Sequence, residues 1–346
     1  MRGRVRQERS SRAAGGPRGD GGRTANARMR RRWAGGLGPG LALLVSLLLM
    51  PAREARAEMA GAFPHIEPWP SSLALGGTTD ALGEGVEAVL GNPTGMLEGP
   101  RRAFAFSHAS LFSGGLVRHQ AAAVRWLKRE TNPVWEQGRV TRTPGKGRLA
   151  VGLGITNLAG ELPGSDTYGE LQIALCLARR VLLGLQSGFR LRILQARSSV
   201  DGAGGGGLAF DFGLERAIGR ARAGMVARSV VSDLDWDRSV DGPLPRGYDL
   251  GLQYDLRLGG TILAGASLHE GGAVRRCAVA TSWRVPGAPL VLRAGPAWSD
   301  PGGESRGELS SGISLQVGGL SADYGMRTGP PGLGEIHRFA LVASLP

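Results

Sequence analysis

The sequence contains only two cysteines, Cys176 and Cys277, among 346 residues. Two cysteines are too few for the disulfide framework of a small secreted domain, so we interpret both as small strand residues. Long hydrophobic runs are also missing. After the N-terminal leader, no segment approaches 18 unbroken apolar residues, which excludes a membrane-spanning helix there.

Acidic residues are scarce in one part of the chain. Residues 1–57 hold 13 of the 42 Lys and Arg but only 3 of the 29 Asp and Glu, and residues 58–346 carry a net charge of +3. The formal charge of +13 therefore belongs mainly to the leader. This excludes a nucleic-acid partner, which would need a basic patch on the folded part.

The leader has the three parts of a secretory signal peptide. Arg30 to Arg32 form a positive region, residues 41–50 form an apolar run, and Ala55-Arg56-Ala57 fits the small-x-small cleavage rule. An uncleaved anchor is disfavoured, because a helix needs about 20 residues to cross a bilayer.

We therefore expect a signal peptide over 29–57 that is cleaved near Ala57. Residues 1–28 are interpreted as a non-native upstream extension, with Met29 as the true start, because a secretory n-region is normally short.

Glycine is abundant, with 58 residues, or about 17% against a typical ~7%. No Gly-X-Y period is present, which excludes collagen. The glycines fall within alternating segments and in turns, and we interpret them as relieving crowding between strands.

From about residue 101, apolar and polar residues alternate with a period of two, which predicts β-strands. The alternation is clearest in 181–193, 208–215, 250–257 and 320–327. A soluble β-sandwich shows the same alternation, so the connections must discriminate. Fourteen strands are predicted: 103–112, 118–127, 148–158, 169–178, 181–195, 207–217, 222–234, 248–257, 261–270, 273–284, 289–298, 307–317, 320–328 and 336–345.

Connections after even-numbered strands are mostly tight, and those after odd-numbered strands are mostly longer. This layout, with strands of about ten residues, is typical of an outer-membrane barrel. The 128–147 connection departs from it, being long where a tight turn is expected. Because lipid cannot satisfy an open sheet edge, we predict an all-β fold, a closed antiparallel transmembrane β-barrel of about 14 strands over 101–346.

Aromatic residues make up only 5% of the chain. Several fall at predicted strand ends, where a barrel carries its interfacial girdle, so we expect a sparse girdle. These residues are Trp126, Trp236, Tyr248, Trp283 and Trp298.

Residues 58–100 precede the first strand and do not alternate. Apolar residues at 82, 86, 89 and 90 fit one or two helical turns, and the Asn92-Pro93 step sets a turn. The segment is either a linker that covers the barrel's mouth or a plug that enters the lumen. We predict the plug, shaped by Gly76, Gly77, Asn92 and Pro93.

Two N-terminal motifs are similar to a known family. Gly76-Gly77-x-x-x-Ala81 followed by Asn92-Pro93-Thr94-Gly95-Met96 resembles the N-terminal signature of the PorV/PorQ family, relatives of FadL-type fatty-acid channels. The first strand, with Phe106-Ser107-His108, and the last, over 334–341, resemble that family's strands. Thr94 replaces the family's Ala, and the chain ends Ser-Leu-Pro rather than in an aromatic residue.

The resemblance implies a fourteen-stranded barrel with an N-terminal plug. By analogy it also implies uptake of hydrophobic molecules, or a carrier role in protein secretion. We accordingly expect the outer membrane of a Gram-negative-type bacterium as the location.

The polar faces of the predicted strands carry charges of both signs. They form either a structural network of ion pairs or a polar pathway in which Arg190 or Arg192 attracts a carboxylate head group. The predicted lumen-lining residues are Arg190, Arg192, Asp211, Glu215, Asp255, Arg257, Asp323 and Arg327.

Covalent catalysis is not predicted. His108 and Ser110 share a strand face, but their side chains are separated along it and no nucleophile motif accompanies them. Asp233, Asp235 and Asp237 lack the Gly and Glu of a calcium loop, so neither a metal site nor a cofactor is expected.

The predicted function is passive passage of hydrophobic or amphipathic small molecules through a plugged lumen, in a wall that contacts outer-membrane lipid. The alternative is a non-catalytic accessory barrel in protein secretion that docks exported proteins. A soluble secreted β-sandwich is a third interpretation.

Overall fold

The structure is a computed structural model that describes residues 67–345, apart from 112–114, 137–138, 163–165, 182–183, 200–203, 237–243, 257–258, 270–274, 301–305 and 330–333. The predictions for the extension (1–28) and the signal peptide (29–57) lie outside the described residues. So do the first part of the predicted plug, 58–66, and Arg257.

Fourteen antiparallel strands form a closed barrel, in which each strand pairs with its neighbours in sequence and the last pairs with the first. The predicted fold class is confirmed. The strands are β1 Arg102–Leu111, β2 Leu116–Glu136, β3 Arg139–Leu162, β4 Asp166–Arg180, β5 Leu185–Ser198, β6 Gly204–Ile218, β7 Ala221–Trp236, β8 Gly247–Asp255, β9 Gly260–His269, β10 Arg275–Arg284, β11 Leu290–Asp300, β12 Arg306–Val317, β13 Leu320–Arg327 and β14 Ile336–Leu345.

The alternation in sequence decides which side chains face outwards. In β5, Phe189 and Ile193 are exposed, whereas Arg190 and Arg192 are buried. Large apolar side chains are exposed in the same way on strands around the wall. Such a surface suits hydrocarbon rather than water, and closure leaves no unpaired edge in it.

The 128–147 connection is not a loop. Strands β2 and β3 continue as a paired hairpin down to Glu136 opposite Arg139, after register shifts between Trp126 and Thr131. The segment contains two prolines, Pro133 and Pro144. Both lie in a two-stranded ribbon, in a part of β2 and β3 that does not pair with β1 or β4. A proline there removes few hydrogen bonds, because each strand has only one neighbour.

Residues 67–100, which we call the inner segment, lie inside the barrel. They contain one short helix, α1 (Pro70–Ala74), and two 3₁₀ turns, Glu87–Val89 and Pro93–Leu97. Helix α1 contacts β11 to β14, and the second 3₁₀ turn contacts β3 to β6. Among the described residues, no helix is long and apolar enough to cross a membrane.

Glycines on the inner face of the wall make room for the inner segment. A Cβ atom on Gly251 of β8 would lie 2.7 Å from Leu82 Cγ, and one on Gly265 of β9 would lie 2.8 Å from Thr78 Cα. Interior packing tolerates no such overlap. We call this set the lumen glycines: Gly152, Gly154, Gly188, Gly213, Gly224, Gly251, Gly265, Gly295, Gly312 and Gly325. The sequence predicted that glycines relieve crowding between strands, and it did not predict that they make room for the inner segment.

The lumen glycines yield a first prediction. Gly251→Val should displace the inner segment around Leu82, because the new side chain overlaps it, and should destabilise the protein by about 1–3 kcal/mol. Hydrogen exchange of residues 78–90 in the purified protein should accelerate. The matched control is Gly307→Val in β12, where an added Cβ meets nothing within 4 Å. Equal exchange in the two variants would refute the packing argument.

Candidate functional site

Gly76 and Gly77 end helix α1 and turn the chain inside the barrel. Their φ angles are +63° and +83°, a region that strains residues with a Cβ atom. Gly77 N donates to Ser72 O at 2.9 Å, and Gly76 N donates to Leu73 O at 3.1 Å, which closes the helix end. These two residues thus shape the inner segment locally, and their part in gating stays a prediction.

Asn92 ties the inner segment to the wall. Its side chain is fully buried, and Nδ2 donates to Ala81 O at 2.8 Å and to Met225 O of β7 at 3.3 Å. Its Oδ1 accepts from Thr94 N at 3.2 Å, so the side chain also holds the turn that Pro93 begins. One amide therefore links two parts of the inner segment to a strand.

Arg190, Arg192 and Asp211 come together at the inner faces of β5 and β6. Arg190 Nε and Nη2 each lie 2.6 Å from Asp211 Oδ2, and Arg192 Nη2 lies 2.9 Å from Asp211 Oδ1. Arg190 Nη1 also donates to Gly91 O of the inner segment at 2.8 Å. Ser229 N completes the cluster by donating to Asp211 Oδ1 at 2.7 Å.

The other predicted lumen residues do not join this cluster. Glu215 is buried beside the inner segment, 3.3 Å from Thr94 Oγ1. Asp323 and Arg327 are buried in β13, where Arg327 donates to Glu67 and Asp323 accepts from Ser321 at 3.1 Å.

Asp255 differs from these residues in its exposure. It lies in solvent at the end of β8 and accepts from Gln253 at 2.9 Å. Asp255 is one of the alternate β8 residues whose side chains point inwards, but it lies beyond the end of the packed interior.

Acidic residues of the inner segment pair with arginines of the wall, and none of these contacts was predicted from the sequence. Glu67 accepts from Arg276 as well as Arg327, and Glu98 lies 3.1 Å from Arg180. The phase of the strand alternation would have placed Arg276 on the inner face. No signal in the sequence pointed to its partner.

Trp126 is not part of the predicted girdle. It is buried, and its indole N–H donates to Met96 O at 2.7 Å, because position 126 has the inward phase of β2. Trp283 and Trp298 are exposed on the outer face. The side chain of Trp236 lies outside the described part of the structure. Both cysteines are free.

Burial raises the pKa of two carboxyl groups of the inner segment. Desolvation raises the pKa of Glu87 from 4.5 to about 7, and nearby Asp323 adds to the effect. Desolvation also raises the pKa of Asp80 from 3.8 to about 6, against the opposing charge of Arg228. Ser71 and Ser72 donate hydrogen bonds to these carboxyl groups. The inner segment therefore holds two groups that take up protons near neutral pH.

No protein-family model matches the chain, and no curated protein matches it in sequence. Solved structures do match. The CymD monoaromatic hydrocarbon channel is 13% identical, with a TM-score of 0.60 over 80% of this chain and 97% of that one. The chain has the barrel fold of FadL-type hydrophobic-compound channels.

Two further structures agree with that fold. The toluene transporter TbuX of Ralstonia pickettii is 13% identical, with a TM-score of 0.56 over 80% of this chain and 98% of that one. A FadL homologue of Pseudomonas aeruginosa is 11% identical, with a TM-score of 0.55 over 80% and 97%. The narrower assignment to the PorV/PorQ family has no support from these matches and stays a prediction.

Asp211→Asn should destabilise the barrel by about 3–5 kcal/mol, because it leaves Arg190 and Arg192 buried without their counter-charge. The measurement is urea unfolding of the detergent-solubilised barrel. Unfolding is detected on a gel as the loss of the difference in mobility between boiled and unboiled samples. Asp255→Asn, at an exposed carboxylate, is the control and should stay within about 0.5 kcal/mol of the parent. A loss at Asp211 no larger than the control's would show that the cluster is not a stability element.

The inner segment should be held less tightly at high pH. A raised pKa means that protons favour the packed state. The stabilisation from protonating Asp80 and Glu87 is complete at pH values below their ordinary pKa values of 3.8 and 4.5. It is lost as the pH rises through about 6 and 7. Hydrogen exchange of 70–97, corrected for intrinsic rates, should be less protected at about pH 8 than at about pH 5.

The control for this pH effect is Asp80→Asn combined with Glu87→Gln, which removes both titrations. Protection in this variant should change with pH less than in the parent. Greater protection of the parent at the higher pH would contradict the sign derived from burial.

Proposed function

We propose that this chain is a passive outer-membrane channel for hydrophobic or amphipathic small molecules, with the inner segment as its plug. The observation that carries the proposal is a closed barrel with an apolar outer face, whose lumen is filled by a segment of the same chain. The neighbours in fold include proteins named as a monoaromatic hydrocarbon channel and a toluene transporter.

The contacts of the plug support a reversible arrangement. It is joined to the wall by hydrogen bonds, ion pairs and close packing on the lumen glycines. None of these contacts is covalent, so each can break and re-form. Withdrawal of the plug from the wall would open a path along the inner face.

In this proposal, Arg190 and Arg192 have a structural role. Asp211 occupies both guanidinium groups, and Arg190 also holds Gly91 O of the plug. They are therefore better suited to holding β5, β6 and the plug together than to attracting a carboxylate head group.

The channel is proposed to be non-catalytic. His108 Nδ1 lies 3.0 Å from His119 Nε2 on the outer face, so its close polar partner there is a second imidazole. In the described part of the chain, no three His, Cys, Asp or Glu side chains are grouped to hold a metal. Passage of a molecule through the lumen requires neither a catalytic side chain nor a bound metal.

The function is tested by uptake of labelled toluene into cells that carry the parent protein, a deletion, or Asn92→Ala with Pro93→Ala. The parent should exceed the deletion. The double variant should change uptake several-fold and expose 70–97 to hydrogen exchange, because it removes the amide that ties the plug to β7.

Gln253→Ala, at an exposed pair, is the matched control and should behave as the parent. Equal uptake with and without the protein would refute the channel. An unchanged rate and plug position in the double variant would refute gating by Asn92 and Pro93.

A further inference from the structure

Four arginines lie on the outer face at one end of the barrel. Arg102 is the first residue of β1, and Arg125 of β2 is its direct register partner. Arg179 is the last residue but one of β4, and Arg216 lies two residues before the end of β6. All four alternate in step with the exposed apolar residues of their own strands, as Arg102 does with Phe104. We call these four arginines the basic rim.

The basic rim has no counter-charge within the protein. In the part of the chain that the structure describes, no acidic side chain pairs with any of the four guanidinium groups. Glu98, at the same end of the barrel, lies on the inner side and pairs with Arg180. Arg102 and Arg125 are directly opposite each other, and like charges in such a cross-strand pair repel. An anion that contacts both groups would remove this repulsion.

The basic rim lies at the end of the barrel where the strands are joined by short turns. Residues 219–220 join β6 to β7, and residues 318–319 join β12 to β13, whereas residues 237–246 separate β7 from β8 at the other end. The β2–β3 hairpin is the exception described above. Short turns are periplasmic in outer-membrane barrels. In the proposed channel, the basic rim therefore meets the headgroups of the periplasmic leaflet.

The outward positions elsewhere on the barrel differ from the basic rim. Near the ends of β8 and β10, at the short-turn end, the exposed side chains are Tyr254 and Trp283. Aromatic side chains of this kind also lie at headgroup level. At the opposite end, the exposed outward residues include both Arg197 of β5 and Asp233 of β7. The unbalanced positive charge thus belongs to β1–β6 at the short-turn end.

We propose that the basic rim binds the phosphate groups of anionic phospholipids in the periplasmic leaflet, with Arg102 and Arg125 sharing one phosphate. A guanidinium group donates two parallel hydrogen bonds to phosphate oxygens. Basic side chains close to a negatively charged lipid surface are attracted to it additively. Phospholipids with a net negative charge are preferred to zwitterionic ones, because the arginines repel the ammonium group of the latter. The proposal requires the barrel to lie in a membrane, but not to conduct.

The test counts the phospholipids that the purified full chain retains. The protein in a neutral detergent is incubated with equal amounts of phosphatidylglycerol and phosphatidylcholine, and the retained lipids are counted by native mass spectrometry. The parent should retain about threefold more phosphatidylglycerol than phosphatidylcholine, because its arginines attract the net negative charge. Arg102→Gln with Arg125→Gln should lose most of this preference. Arg102→Lys with Arg125→Lys should keep part of it, since the charge remains without the paired N–H groups.

The matched control is Arg197→Gln, at an exposed arginine of the opposite end, which should retain the preference of the parent. An equal loss in this control, or equal retention of the two lipids by the parent, would overturn the proposal. Retention of lipopolysaccharide in place of phosphatidylglycerol, dependent on the same arginines, would assign the rim to the other leaflet and refute it as well.

Urea unfolding separates lipid binding from a structural role. Because a bound lipid stabilises only the folded barrel, phosphatidylglycerol should raise the urea midpoint of the parent more than that of the Arg102→Gln, Arg125→Gln variant. In neutral detergent alone, the midpoint of the variant should equal or exceed that of the parent, because a like-charge pair is removed. A lower midpoint there, with equal rises on adding the lipid, would contradict the proposal.

The basic rim and the channel can fail separately. Toluene uptake by the Arg102→Gln, Arg125→Gln variant should match the parent, because neither side chain lies in the lumen. Toluene uptake by a parent that shows no lipid preference would overturn the basic rim and leave the channel standing. A lipid preference that depends on Arg102 and Arg125, without toluene uptake, would support the rim and refute the channel.

Discussion

The interior of a closed barrel has a fixed volume, and every second residue of every strand must either fill it or leave room. In this protein the lumen glycines leave room along the path of the inner segment. Backbone of the inner segment can therefore approach backbone of the wall, as Thr94 does at Gly188 of β5 and Thr78 at Gly265 of β9. The inner segment, its hydrogen bonds and the charge clusters around it all depend on that space.

The same constraint explains the charges. Arginines on the inward phase of the strands are buried, so they need counter-charges, and the wall supplies Asp211 and Asp249 while the inner segment supplies Glu67, Glu84 and Glu98. Moving the inner segment away would remove the ion pairs that wall arginines make with Glu67, Glu84 and Glu98. The inner segment is thus part of the charge balance of the barrel. Protonation of its carboxyl groups would therefore affect its position.

Much of the fold could be predicted from the sequence, because the period of two records which side of the wall each residue faces. The fourteen strands follow from it, and so do the inward positions of Arg190 and Asp211. Their contact does not follow from it, because it depends on the direct register of β5 with β6 that the structure shows. The extension of the β2–β3 hairpin beyond residue 127 was not predicted, because it lies outside the part of the wall where each strand has two neighbours. Nor could the partners of Arg276 and Arg338, because these lie more than 200 residues away in a segment without alternation.

The most direct test of the account is a cross-link between the inner segment and the wall. A Cβ atom on Gly251 would lie 3.2 Å from Ala81 Cβ, close to the roughly 3.5–4.5 Å of a disulfide. The background carries Cys277→Ser to remove the exposed native thiol and Leu82→Ala to remove the side chain that a Cβ at Gly251 would overlap. In this background, Ala81→Cys and Gly251→Cys should form a disulfide on mild oxidation of intact outer membranes. Ala81→Cys with Gly307→Cys should form none. If the first pair stayed reduced, or if both pairs linked equally, the inner segment would not occupy the lumen as described.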